Sequence, residues 1–175
     1  MIWLSNSTVA RLRDKLRLRG QRQSIAAVGG DLEALEAAAV SSQYGPICEA
    51  MYLMMSADGT VSPEEREVLR GALRNLSEDS IRTGQIDAML DAAAKGVAEQ
   101  GRDARLQEVI DQLEGDPARA EVAFVLAAAI AFADSAIADE ENETLDRFAE
   151  GLGIDEARAN QLLDSVEADL AQRSP

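Results

Sequence analysis

The chain has 175 residues, 46% of them apolar, which is enough to close a core as one domain of ordinary size without staples. Its formal charge is −15, and residues 1–23 hold six basic residues against one acidic, so the remainder carries about −20. That body repels phosphate backbones, which excludes nucleic acid as the main ligand. The single cysteine, Cys48, excludes an internal disulfide and a zinc finger and fits a reducing cytoplasmic setting.

In chain order, Met1-Ile2-Trp3-Leu4 is too short for the apolar region of a signal peptide, and export is not expected. Over residues 8–19, Val9, Leu12 and Leu16 form one stripe among Arg11, Lys15 and Arg19, which predicts a basic amphipathic helix ended by Gly20. Such a helix suits docking on the acidic body of its own chain, and alternatively an anionic membrane surface as a peripheral contact. Gly29-Gly30 and the N-cap Asp31 predict a short helix over 32–40, and Gly45-Pro46 predicts the start of a separate one over 46–57. Further helices are expected over 63–76, 85–100, 103–113, from Pro117 to about residue 133, then over 139–151 and 155–171. The longest apolar run, 122–133, falls well short of the roughly 20 residues that span a bilayer and reads as a buried core helix. Alanine and leucine are plentiful and β-branched residues never alternate, so the expected fold class is all-α, with about 7–9 helices and no sheet. The expected division is a basic N-terminal helix or arm over 1–30 and a single helical domain over 31–175.

One internal offset, 76 positions, superposes Ala57-Asp58-Gly59-Thr60-Val61-Ser62-Pro63-Glu64-Glu65 on Ala133-Asp134-Ser135-Ala136-Ile137-Ala138-Asp139-Glu140-Glu141. Beyond the loop Glu67 meets Glu143, Leu69 meets Leu145 and Leu76 meets Leu152, while upstream Met54 meets Ile130. Helical spacing sets Asp58 on the stripe of Ile47, Met51, Met54 and Met55, and Glu65 at the head of Leu69, Ala72, Leu73 and Leu76. Asp134 and Glu141 repeat this pattern against Ile130 and against Leu145, Phe148, Ala149 and Leu152. The three methionines are read as core filler, and buried Cys48 on the same face is assigned no redox role.

An aspartate at the end of an apolar helix lies against the negative end of the helix dipole, and several half-buried carboxylates together repel one another unless a cation intervenes. With no histidine in the chain, oxygen-only donors suit calcium, magnesium or manganese. The candidate metal ligands are therefore Asp58, Glu65, Asp134 and Glu141, with Glu64, Asp139 or Glu140 behind them. Each loop lacks the alternating oxygens of an EF-hand, so two loops would share one ion. The same residues also fit a structural role: Ser62-Pro63-Glu64-Glu65 matches a capping box, and Asp58-Gly59 an ordinary tight turn. In the second copy Ala138 cannot cap and Ser135 replaces the glycine, yet both acids remain.

The paired Asp58-Gly59 to Glu65 and Asp134 to Glu141 motifs in an all-helical frame resemble the TerB-like tellurite-resistance family over roughly residues 45–166. The resemblance implies a compact bundle of duplicated helix-loop-helix halves, a divalent metal held by the loop acids, and a part in bacterial responses to tellurite and other toxic chemicals, often near the inner membrane. Ser135 and Ala138 depart from the family pattern. No Gly-rich phosphate loop, nucleophile elbow or Glu-x-x-His motif appears, so no enzyme is expected. The expectation is a cytoplasmic module that binds a divalent cation and a protein partner; the alternative is a metal-free acidic scaffold for protein interaction.

Overall fold

A computed structural model describes residues 4–20, 32–57, 59, 61–134 and 139–171, with 18–20, 32–33, 134, 139–141 and 170 described by backbone alone. Among these residues there are eight α-helices and no strand: α1 Asn6–Gly20, α2 Leu32–Met55, α3 Pro63–Ser77, α4 Thr83–Gln100, α5 Arg102–Leu113, α6 Pro117–Ala131, α7 Asp139–Gly151 and α8 Glu156–Ala171, with a 3-10 turn Phe132–Asp134 closing α6. The all-α expectation holds. No described helix is long and apolar enough to cross a membrane.

Local chemistry explains most of the boundaries. Asp116 and Pro117 open α6, the aspartate side chain accepting the Arg119 amide at 3.2 Å. Gly101 joins α4 directly to α5 at φ +86°, a left-handed conformation that costs a glycine little. Gly153, at φ +69°, turns α7 into α8, and Asp155 then caps α8 by accepting the Arg158 amide at 2.9 Å.

The expected break before Pro46 is absent. Residues 32–40 and the segment beginning at 46 belong to one helix, α2, with Pro46 inside it. An interior proline removes one i to i−4 hydrogen bond, which here leaves the Ser42 carbonyl without its helical donor. The Arg119 guanidinium supplies the replacement, donating from Nη1 to the Ser42 carbonyl at 2.6 Å and from Nη2 to the Gln112 carbonyl at 3.0 Å. Arg119 is 6% exposed and also pairs with Asp116 at 3.2 Å, so its charge is compensated where it lies.

The core lies between α2 and α6, the most extensive helix pair. Ile47 to Met54 of α2 and Ala120 to Ile130 of α6 contribute mostly buried side chains, with Glu121 the partly exposed exception. Glu49 enters this core as one half of a bidentate pair, accepting from Arg105 Nε at 2.6 Å and Nη2 at 2.8 Å. Gly96 makes room for it, since a Cβ there would stand 2.9 Å from Arg105 Nε.

The basic helix α1 packs against α3 and α6, burying Leu4, Val9, Leu12 and Leu16 in the same core. Three of its cations are engaged by the body: Lys15 with Glu121, Arg13 Nε with the Asn75 carbonyl at 2.8 Å, and Arg17 with Glu78. Glu121 also accepts from Arg158 Nε at 2.7 Å and Nη2 at 2.9 Å. The Arg158 guanidinium, followed by the Lys15 ammonium, holds its carboxyl down at about 2 despite the opposing effect of burial.

Candidate functional site

The sequence places its four candidate ligands where α2 passes into α3 and α6 into α7. Asp58 lies outside the described residues, as do the side chains of Asp134 and Glu141; the backbone of Asp134 ends the 3-10 turn after α6, and that of Glu141 is in the first turn of α7. Glu65 is described in full. Among the described residues no group of three carboxylate or thiol side chains stands together as a metal site.

Glu65 sits half-buried in the first turn of α3 and completes a capping box. Its Oε2 accepts the Ser62 amide at 2.6 Å while Ser62 Oγ accepts the Glu65 amide at 3.2 Å. One oxygen of the carboxylate is thus committed to the backbone, and the other has no partner among the described residues. A hard cation takes such an oxygen as a single-atom ligand, so this residue fits both the capping role and ligation.

Which end of the bundle each loop reaches follows from α5, which runs beside both halves. Its start is tied to the last turns of α2: Arg102 Nη2 donates to the Leu53 carbonyl at 2.9 Å, and Arg105 holds Glu49. On its other side Asp103 pairs with Arg147 of α7 at 3.0 Å, and seven residues on, Ile110 packs against Gly151. Contacts advance in the same direction along both chains, so α7 runs parallel to α5 and its start lies toward the end of the bundle where α2 stops. The end of α2 and the start of α7 therefore lie toward one end of the bundle.

This end combines helix N-termini, which favour anions, with carboxylates on the residues that begin them: Glu64 and Glu65 on α3, and Asp139, Glu140 and Glu141 on α7. The residue that sequence reasoning missed is Arg102. It donates to a carbonyl at the C-terminal turn of α2, where the dipole favours a cation, and it lies 49 positions from that carbonyl, so no local pattern announces it. Cys48 is buried in the same helix, and burial, then the neighbouring Glu49 carboxylate, pushes its thiol up to about 12 against the opposing pull of Arg66, which keeps it protonated and unreactive.

Fold and site together define an all-helical module whose acidic helix starts are gathered at one end. The family profile described as "Tellurite resistance protein TerB" matches residues 47–164, and the chain belongs to that family. No curated protein and no solved structure matches the chain. The matched span begins within α2 and ends within α8, so α1 and the first half of α2 precede it.

Proposed function

We propose that this chain is a TerB-type module that binds one divalent cation, calcium, magnesium or manganese, between its two acidic loops, and that it serves a cellular response to tellurite or related chemical stress. Asp58, Glu65, Asp134 and Glu141 would hold the ion, which supplies the positive charge that four converging carboxylates need. The observation that supports the reading is the shared direction of α5 and α7, which sets the start of α7 toward the end of the bundle where α2 stops. The chain's own part is to hold the acids in place: Arg102 and Arg105 fasten α5 to the last turns of α2, and α5 in turn carries α7. The module acts by binding and by tying its two halves together, with no catalytic step, in the cytoplasm. The tellurite connection comes from the family's name and the ion from the chemistry of the acids.

Thermal unfolding of the full chain with calcium, magnesium, manganese or a chelator tests this. A cation present at about one hundred times its dissociation constant should stabilise the fold by about 2.7 kcal/mol, which raises Tm by roughly 5–10 °C for a chain of this size. The double variant D58N/D134N should lose that increment. Melting that ignores all three ions and the chelator would remove the metal from the proposal.

The capping box at Ser62 and Glu65 favours a second reading, a metal-free acidic scaffold for protein interaction in which the acids serve the loops themselves. Under it the parent chain itself, like the D58N/D134N variant, melts identically with and without ions.

A further inference from the structure

A second feature lies away from the α2–α3 loop: an open groove of about 500 Å³ formed by α6, α7, the turn after α7, and α8. Phe124 and Leu145 close its floor, and the half-buried side chains of Ile154 and Leu163 form its accessible apolar surface. Ala149 and Ala159 are small, and their size leaves the groove its width. Four exposed carboxylates stand around this floor: Asp146, Glu150, Asp155 and Glu156.

No cationic side chain lines the groove itself; Arg158 feels the charge of Asp155 from outside it, and Arg147 stands with Glu150 on the adjoining face. Asp155 accepts the Arg158 amide as the cap of α8, while the carboxylates of Asp146, Glu150 and Glu156 have no hydrogen bond or ion pair among the described residues. The two arginines of α7 and α8 nearest in sequence are committed elsewhere, Arg147 to Asp103 and Arg158 to Glu121, and neither lines the groove. An apolar floor inside an acidic rim is the complement of one kind of surface, a row of apolar side chains flanked by lysine or arginine. Anionic lipid and nucleic acid carry the wrong charge. A second copy of this chain also fits badly, because its body is acidic and Arg13, Lys15 and Arg17 of its basic helix are engaged within the chain.

We propose that the α6–α7–α8 groove docks a cationic amphipathic helix from a protein partner, with apolar side chains of the helix entering over Ile154 and Leu163 and its basic flanks meeting Asp146, Glu150, Asp155 and Glu156. The site does not depend on the cation reading, and its test is run in chelator so that the two stand or fall separately.

The probe is a fluorescently labelled helical peptide with one leucine face flanked by lysines, titrated with the full chain and followed by anisotropy. Saturable binding is expected, weakened roughly tenfold or more in E150K/E156K, since each exposed charge reversal removes an attraction and adds a repulsion. The control D91K/E99K, on exposed positions of α4, a helix that packs chiefly on α2, α3 and α5, changes the net charge equally and should alter affinity by no more than about twofold, because charges screened at a distance from the rim act weakly. Amide resonances of the turn Leu152–Asp155 should shift on peptide addition in the parent chain. The proposal is overturned by absence of saturable binding, by equal losses in the two charge-reversal variants, by equal binding of a peptide with glutamates in place of the lysines, or by the chain binding anionic vesicles in preference to the peptide.

Discussion

The two central helices, α2 and α6, lead into the aligned acidic loops by different means. The first half of α2 is largely solvated, and only from Pro46 onward do its side chains enter the core; α6 is buried on nearly every face from Arg119 to Ala131. The loop after α2 is fastened by a reciprocal cap, Ser62 with Glu65, whereas the aligned position before α7 is Ala138, which has no side-chain acceptor to offer. The first loop thus carries a side-chain cap that the sequence of the second cannot supply. If the loops share an ion, the first brings a preorganised carboxylate to it, and the second depends more on the ion.

The largest expected effect breaks the joint between these helices. R119M leaves the Ser42 and Gln112 carbonyls and Asp116 without their buried cationic partner, at a cost of about 3–5 kcal/mol by urea unfolding. Adding P46A should return about 1–2 kcal/mol of that loss, because alanine restores the amide that the Ser42 carbonyl would otherwise accept. Strict additivity of the two changes would show that Arg119 is not compensating for the proline.

Next in size is Glu121, which ties α6 to both α1 and α8. E121Q should cost about 1–2 kcal/mol near neutral pH, allowing for the partial exposure of Arg158 and Lys15. The carboxyl ionises at about 2 in the fold against an ordinary value of 4.5, so its contribution is complete above pH 4.5 and fades as pH falls toward 2. The stability difference between parent and variant should close across that window, and a gap that stays constant down to pH 2 would refute the assignment.

The smallest effect sharpens the contrast between the loops. S62A, measured in chelator, should destabilise by about 1 kcal/mol, the usual worth of a helix N-cap. A138S tests whether the aligned position is equivalent: a stabilisation of up to about 1 kcal/mol is expected, and no change in melting would mean that the second loop starts its helix differently.

The acids show how far sequence reasoning reaches. The Ser62–Glu65 cap was legible because a capping box is a four-residue pattern, and the structure holds both of its bonds. The same pattern left the metal role open, since a glutamate that caps and a glutamate that ligates occupy the same place in a sequence. The basic helix was legible as amphipathic, yet two destinations stayed open to it; Val9, Leu12 and Leu16 lie in the core because α3 and α6 present a matching apolar face. Cys48 and the methionine stripe were legible as core for a simple reason, that apolar periodicity and burial coincide.

By itself the sequence determined the helical class and the ends of most helices, because periodicity, caps and punctuation act over three or four residues. Only the tertiary structure decided that α2 runs through Pro46 and that α7 starts toward the end of the bundle where α2 stops. Both depend on arginines reaching carbonyls far along the chain, Arg119 to Ser42 across 77 positions and Arg102 to Leu53 across 49. A backbone group freed in one helix is satisfied by whatever packing brings beside it, and that neighbour belongs to the fold rather than to the local sequence.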